Sequence, residues 1–184
     1  MPNPPVPDLS IIIVSWNVRD LLAACLSSIQ KALAAAAHAV AEVIVVDNAS
    51  VDGSAAVVAA QFPWVQLIAN EDNRGFTRGN NQALPLTHGR YVLFLNPDTV
   101  VLGDALEAMV AYMDAHPTVG ALGPQLRYGD GSLQSSRRRF PTFRFRSELP
   151  RSAGIFQRTL QSTSPSLALR REGTFLRRIA PGGR

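Results

Sequence analysis

Arg90-Tyr-Val-Leu-Phe-Leu-Asn-Pro-Asp-Thr99 is the stretch that decides the fold. Within it, Tyr91 to Leu95 forms a short apolar run with aromatic and β-branched members, and His88-Gly89 before it is a turn signal. Such a run reads as a strand buried on both faces. It stops at Asn96-Pro97-Asp98-Thr99, because Pro97 has no backbone donor for a sheet ladder. The Asp98 carboxylate is therefore expected at the carboxyl end of a central strand, the edge of an open α/β sheet where ligands bind. Asn-Pro-Asp is also good turn chemistry, so this stretch alone leaves turn and site both open.

The pattern repeats outward. Residues 9–15 are a continuous β-branched run after a proline-rich leader (1–8), and residues 42–46 and 65–69 read as two more buried strands. Residues 19–37 carry Leu21, Leu22, Cys25, Leu26, Ile29 and Leu33 at helical spacing, and Asp52 is placed to cap a helix through Ala60. A helix over 80–86, shortened or kinked by Pro85, precedes the central run, and a helix over 104–115 follows it. Residues 119–128 read as a further strand, turning through Tyr128-Gly-Asp-Gly131 into 132–136. Alternation of this kind predicts an α/β fold, a mostly parallel central sheet with helices on both faces.

At 184 residues the chain is expected to be one domain with an appendage. A chain of that size buries about 70% of its unfolded surface, and its 46% hydrophobic content is ordinary for a globular protein. The single cysteine, Cys25, excludes a disulfide framework and a thiolate metal site, and reads as a small buried hydrophobe. His38, His88 and His116 show no ligand spacing and read as solvated or turn residues. The amino terminus lacks a basic segment followed by an apolar one, and the alanine-rich stretch 32–46 is too short to span a bilayer. A cytoplasmic location, with optional contact at the inner membrane face, is the expectation. The formal charge of +4 hides an asymmetry. Residues 1–126 carry five cations against eleven acids, whereas 127–184 carry thirteen arginines against three acids. Two differently constituted pieces are joined.

Ser15-Trp16-Asn17, Asp47-Asn48 and Asn96-Pro97-Asp98 all follow expected central strands, so they should converge on one edge of the sheet, beside the polar loop 70–81. The first strand is not followed by G-x-G-x-x-G, and G-x-x-x-x-G-K-[ST] is missing. Acids at strand ends suit ribose hydroxyls, base edges and a divalent cation better than bare phosphate. Asp47 could accept from ribose or base, and Asp98 could hold Mg²⁺ or Mn²⁺, hard ions that take carboxylate oxygen and bridge to diphosphate. Arg74 and Arg78 stand beside a glycine loop, where they either neutralise diphosphate or remain solvated.

Several stretches in this order and spacing resemble a family 2 glycosyltransferase, nearest its rhamnosyltransferase-like branch. They are Ser-Ile-Ile-Ile-Val-Ser-Trp-Asn17, Val-Val-Asp-Asn-Ala-Ser50, Asp52-Gly53-Ser54, Asn73-Arg-Gly-Phe76 with Gly79-Asn80-Asn81, and Leu-Asn-Pro-Asp98. The likeness covers about residues 9–145, including Arg138-Arg139-Phe140-Pro141. It implies a GT-A nucleotide-sugar-binding fold and inverting transfer of a sugar, with rhamnose a guess by likeness. The acceptor would be a hydroxyl on a saccharide or lipid-linked molecule of cell-surface polysaccharide or glycolipid synthesis. By the resemblance, Ser15, Trp16, Asn17, Asp47, Asn48, Asn73, Arg74, Gly75, Asn80 and Asn96 hold the nucleotide-sugar. Asp98 matches the last acid of the family's Asp-x-Asp metal motif, and the first acid position is Asn96, whose amide oxygen can ligate but brings no charge.

The resemblance also implies a second carboxylate, a general base in an acidic segment beyond the matched region, where only Glu148 and Glu172 are available. Residues 9–146 are thus expected to form the nucleotide-sugar-binding domain, and 147–184 a basic segment without regular structure, the mark of a truncated or altered end. A basic arm for anionic lipid is the rival for that segment. A nucleic-acid arm lacks aromatic interleaving and is not expected. If the base is truly missing, the alternative is a nucleotide-sugar-binding module without turnover.

Overall fold

A computed structural model of the chain describes residues 6–36 and 40–135, together with the backbone of two strands, Ala168–Leu169 and Gly173–Arg177. The elements in order are β1 (Leu9–Ser15), α1 (Arg19–Ala35), β2 (Ala41–Asp47), α2 (Ser54–Gln61), β3 (Gln66–Ala69) and α3 (Gly75–Ala83). A 3₁₀ turn (Leu84–Leu86) leads to β4 (Tyr91–Leu95), α4 (Ala105–Ala115), β5 (Ala121–Leu122), β6 (Gln125–Arg127) and β7 (Leu133–Gln134). The two later strands are β8 (Ala168–Leu169) and β9 (Gly173–Arg177).

Six strands form one sheet in the order β3-β2-β1-β4-β9-β5. The first four run parallel, and β9 lies antiparallel to both β4 and β5. A second sheet has the order β7-β6-β8. Alternate side chains of the parallel strands feed two cores, as strand geometry requires. Ile11, Ile13, Val43, Val45, Leu93 and Leu95 pack with residues of α1, α2 and α4. Ile12, Val14, Ile44, Val46 and Val92 pack on the other face with Ala83 of α3. Each fully buried isoleucine stabilises the fold by about 1.5–3 kcal/mol relative to exposure. That double burial explains why the strand sequences are apolar without alternation.

Two glycines set how closely elements approach. A Cβ on Gly79 would lie 2.9 Å from Val14 Cγ1, so α3 reaches β1 only because that position is bare. A Cβ on Gly89 would lie 2.6 Å from the backbone nitrogen of Ser10. Gly89 instead donates its N–H to the Ser10 hydroxyl (2.8 Å). That hydroxyl donates in turn to Glu42, which also accepts from the backbone N–H of His88. This network ties β1, β2 and the turn before β4 together at the amino edge of the sheet.

Several boundaries differ from expectation, each for a local reason. The helix expected over 80–86 spans Gly75–Ala83: Asn73 Oδ1 accepts the Gly75 N–H (2.9 Å) and starts it early, and the turn containing Pro85 tightens to 3₁₀. The helix expected from Asp52 begins at Ser54, because Gly53 takes a left-handed conformation (φ 87°). The strand expected over 119–128 is broken at Gly123-Pro124 into β5 and β6, which belong to different sheets, since Pro124 cannot donate to a ladder. The turn at Tyr128–Gly131 is closed by Gly131 N–H donating to Tyr128 O (2.9 Å). Of the basic segment 147–184, β8 and β9 are regular strands, and the remainder lies outside the described residues, as do Arg138, Arg139 and His38.

Candidate functional site

The parallel register carries four strand ends to one edge. Ser15 stands opposite Asp47, Asp47 opposite Ala69, and Ile13 opposite Leu95. Asn17, Asp47 and Asp98 therefore follow adjacent strands and emerge on the same side of the sheet. The ladder runs slightly past the strands: Asn48 N–H donates to Ser15 O and Asn70 N–H to Asp47 O, both at 2.9 Å.

Beyond that edge the loops clasp one another through side chains. Asn17, left-handed at φ 52°, accepts from Val51 N–H at its Oδ1 (2.8 Å), and its own N–H donates to Ser50 Oγ (2.8 Å). Asp52 accepts from Arg19 N–H (2.8 Å), at the first turn of α1, and from the amide and hydroxyl of Ser54. The Ser54 hydroxyl, then the Arg19 amide, hold the Asp52 carboxyl below its ordinary value. An open groove lined by Asn17, Val18, Arg19, Asp20, Leu21 and Asp52 lies beside this clasp. Its charged walls are already paired, Arg19 with Asp20 and Asp52 with the two amides.

A second set of bonds fixes the 70–82 loop. Asn48 Nδ2 donates to Gly75 O (3.3 Å), Asn70 Nδ2 donates to Asn48 Oδ1 (3.0 Å), and Asn70 and Gln82 exchange reciprocal amide bonds (3.1 and 2.9 Å). Asn80 is 8% exposed and spends its amide on Phe76 O (2.9 Å). Arg74 is ion-paired with Asp72 (2.9 Å) at the surface. Of the residues expected to hold a ligand, Asn17, Asn48 and Asn73 thus build and brace the loops, and Asn80 bonds within its own helix. Ser50, Asn70 and Gln82 do the same work and were not singled out from the sequence. Only Asn70 carried a signal, as the first polar residue after β3.

At this edge two side chains keep unused capacity; Gln134 Oε1 on β7 is a third such atom among the described residues. Asp47 is 2% exposed; its Oδ2 accepts from Ser50 N–H (2.9 Å), while Oδ1 has no partner among the described residues. Ser15, its register partner, is 1% exposed and its Oγ also has no partner there. Leaving a buried acceptor unpaired costs about 1–3 kcal/mol, so a neighbouring pair of such atoms at a ligand edge is a strong pointer to a bound group. Trp16 (56% exposed) and Phe76 (48%) supply exposed aromatic surface at the same edge.

Asp98 lies half-buried on the other side of β1, in a turn closed by Thr99 N–H donating to Asn96 O (3.2 Å). Burial, and after it the nearby Asp98 charge, push the Cys25 thiol up to about 12, so Cys25 is an inert neighbour of this turn. Among the described residues no three His, Cys, Asp or Glu side chains group together as a ready metal cage. Asp98 with the Asn96 amide fits the sparser mode, in which a hard cation is bound by one carboxylate plus substrate phosphates.

A model of the family described as glycosyl transferase family 2 matches residues 10–176. The chain belongs to that family. The match runs past residue 145 and takes in β8 and β9. Succinoglycan biosynthesis protein ExoO of Rhizobium meliloti (strain 1021) is 36% identical over 118 residues, covering 61% of this chain and 33% of that protein. An N-acetylglucosaminyl-diphospho-decaprenol L-rhamnosyltransferase of Mycobacterium tuberculosis is 27% identical over 111 residues, covering 54% of this chain and 36% of the relative. The chain spans about a third of the length of these curated relatives. Among solved structures, the mannosyltransferase PcManGT from Pyrobaculum calidifontis, in complex with GDP-Man and Mn²⁺, superposes with a TM-score of 0.56 at 27% identity, covering 66% of this chain and 36% of that one. Staphylococcus aureus TarS residues 1–349 give 0.56 at 23%, covering 73% and 38%, a likeness of fold. The family 2 domain thus has the GT-A fold expected from its sequence. No described helix is long and apolar enough to cross a membrane.

Proposed function

We propose that this domain binds a nucleoside-diphosphate sugar across the carboxyl edge of its sheet and presents the sugar for inverting transfer to a hydroxyl acceptor. The observation that carries this is a pair of buried atoms on register-paired residues, Ser15 Oγ and Asp47 Oδ1, neither with a partner among the described residues. Asp47 Oδ1 accepts an N–H or O–H from base or ribose, and the Ser15 hydroxyl donates to a neighbouring carbonyl. Trp16 supplies a stacking face for the base, a contact of about 1–3 kcal/mol. Asn17, Asn48, Asn73, Gly75 and Asn80 hold the loops around the nucleoside, and Arg74 stands at the rim where diphosphate charge would fall.

Asp98, with Asn96 beside it, is the residue for the diphosphate and for a divalent cation, Mn²⁺ or Mg²⁺. Such an ion offsets charge developing on the departing diphosphate. The Mn²⁺ bound with GDP-Man in the mannosyltransferase supports this assignment. Fixed charge aimed at the leaving group is commonly the largest catalytic contribution. Proton removal from the acceptor, worth about 10²–10⁴-fold, requires a further base. A rhamnosyl donor and a lipid-linked or saccharide acceptor are the finer reading, supported by the mycobacterial relative. Residues 9–146, with β9 completing the sheet between β4 and β5, are the nucleotide-sugar-binding part, and the arginines that follow residue 146 are suited to anionic membrane contact.

The test is thermal unfolding of the full chain with UDP, dTDP or GDP, with and without Mn²⁺. The wild type should be stabilised by at least one of them, with a larger shift when Mn²⁺ is present, and Asp98→Ala should lose that increment. No stabilisation of the wild type by any of the three would sink the proposal. Labelled nucleotide-sugars with lipid acceptors then separate transfer from binding alone.

A further inference from the structure

The buried surface of α1 is aliphatic except at two positions. Leu22, Leu26, Ile29 and Ala32 pack toward the sheet, whereas Cys25 and Ser28 carry small polar groups three residues apart, on the same helix face. Both meet the loop between β4 and α4. The Ser28 hydroxyl donates to Cys25 O (2.7 Å) and accepts the backbone N–H of Val101 (2.9 Å), both bonds being buried. Cys25 Sγ approaches Asn96 O at 3.9 Å. The loop is therefore held from α1 at Asn96 and at Val101, and Asp98 lies between the two holding points.

A serine in a helix that bonds only its own preceding turn would explain nothing outside the helix. Ser28 differs because it also accepts from a residue 73 positions away. An aliphatic residue there would bury more apolar area, yet would leave the Val101 N–H without this partner. A carboxylate that must meet diphosphate gains from being held in place before the ligand arrives, because misplacement by about 1 Å costs on the order of 10²-fold in rate.

We infer that Ser28 is a positioning residue: through the Val101 amide it anchors the loop so that Asp98 is presented at the sheet edge. The inference rests on the diphosphate role proposed for Asp98, so its test has one arm that needs no ligand. In the full chain, Ser28→Ala removes the hydroxyl, and Ser28→Thr keeps it in a rotamer that also bonds the preceding turn.

By amide hydrogen exchange, Ser28→Ala should accelerate Val101 and its neighbours in 97–101 about tenfold while Ile12 and Ile44 stay unchanged; Ser28→Thr should restore the wild-type rates. By titration with UDP, dTDP or GDP, whichever the wild type binds, Ser28→Ala should leave metal-free affinity within twofold and weaken the Mn²⁺-dependent gain about tenfold. Unchanged exchange in 97–101, or acceleration spread evenly over the sheet, overturns the anchor. A loosened loop with a full Mn²⁺ gain overturns the positioning of Asp98. Should the wild type bind none of UDP, dTDP and GDP, the proposed function fails instead, and exchange alone decides the anchor: acceleration confined to 97–101 supports it, and any other pattern overturns it.

Discussion

Asp47→Asn separates ligand recognition from folding at a single atom. In the wild type the carboxylate is 2% exposed and makes one described bond, from Ser50 N–H to Oδ2, while Oδ1 is unpaired. Asparagine is nearly the same shape. Its oxygen can keep the Ser50 bond, and its NH₂ then occupies the Oδ1 position. The variant loses a buried negative charge and gains an unpaired buried donor, two effects of opposite sign and each about 1–3 kcal/mol. Stability without ligand should therefore change by less than about 1.5 kcal/mol in urea denaturation, with an unchanged slope.

Binding should respond differently. A hydrogen bond to a charged acceptor contributes about 1.5–3 kcal/mol, and at 1.4 kcal/mol per decade its loss weakens Kd by about 10- to 150-fold. The new donor facing a ligand N–H adds to that. Calorimetric titration of UDP, GDP and CDP makes the outcome specific. UDP and GDP carry a ring N–H on the pairing edge, whereas the ring nitrogen of CDP there is an acceptor and its one donor group is the exocyclic amine. The wild type should prefer the first two, and Asp47→Asn should narrow or reverse the preference. Equal affinity of wild type and variant for UDP and GDP would refute the reasoning, because an acceptor used by the ligand cannot be exchanged for a donor at no cost.

Two further outcomes concern the amino edge of the sheet. Gly89→Ala should destabilise the domain by about 2–4 kcal/mol, from overpacking against the Ser10 backbone and loss of a buried hydrogen bond. Gly120→Ala, with nothing within 4 Å of the added carbon, should be neutral; equal urea midpoints for the two would count against the close-approach account. Burial alone would raise the Glu42 carboxyl, but the His88 amide, the Ser10 hydroxyl and the His88 ring outweigh it and leave it below its ordinary value of 4.5. A depressed native value adds stability above the unfolded value, lost as pH falls through the native one. Glu42→Gln should therefore cost about 1–2 kcal/mol at pH 7, with the gap to wild type closing below about pH 4.5; a gap independent of pH would show the charge to be irrelevant.

β1, β2 and β4 were legible because they are buried on both faces, which leaves apolar, β-branched runs that few other environments produce; β3, expected to be buried as well, is an edge strand whose residues are only partly covered. The placement of Ser15, Asp47 and Asp98 was legible by the same logic, since polar residues that end or follow such a run lie at the carboxyl edge of the sheet. The start of α3 was not, because it depends on Asn73 capping Gly75 through space rather than on apolar spacing. β9 was hidden for a stronger reason. It joins β4 from a segment some eighty residues later, in an arginine-rich context that reads locally as a solvated tail. Ser28, Ser50 and Gln82 look like ordinary helix or loop residues until partners 12 to 73 positions away are brought beside them.

The polar residues at the carboxyl edge divide by chemistry. Asn17, Asn48, Asn70 and Gln82 are amides, each with donors and an acceptor and no charge, and each bonds a neighbouring segment, while Asn80 bonds the preceding turn of its own helix. An edge braced in this way adds no fixed charge to compete with a ligand. At the strand ends themselves the carboxylates are Asp47 on β2 and Asp98 after β4, strands that flank β1 on either side, while Asp52 in the adjoining clasp is spent on Arg19 and Ser54. At about 4.8 Å per strand spacing, the two strand ends lie on the order of 10 Å apart, with Ser15 between them. One elongated ligand can be read at its base end by an acceptor and gripped at its diphosphate end through a cation only if the intervening surface is neutral and rigid. The amide bracing serves the base end: losing the Gln82 amide of α3, which bonds Asn70 and through it Asn48, should weaken binding as an Asp47 variant does and leave the Mn²⁺-dependent gain of the Asp98 end in place.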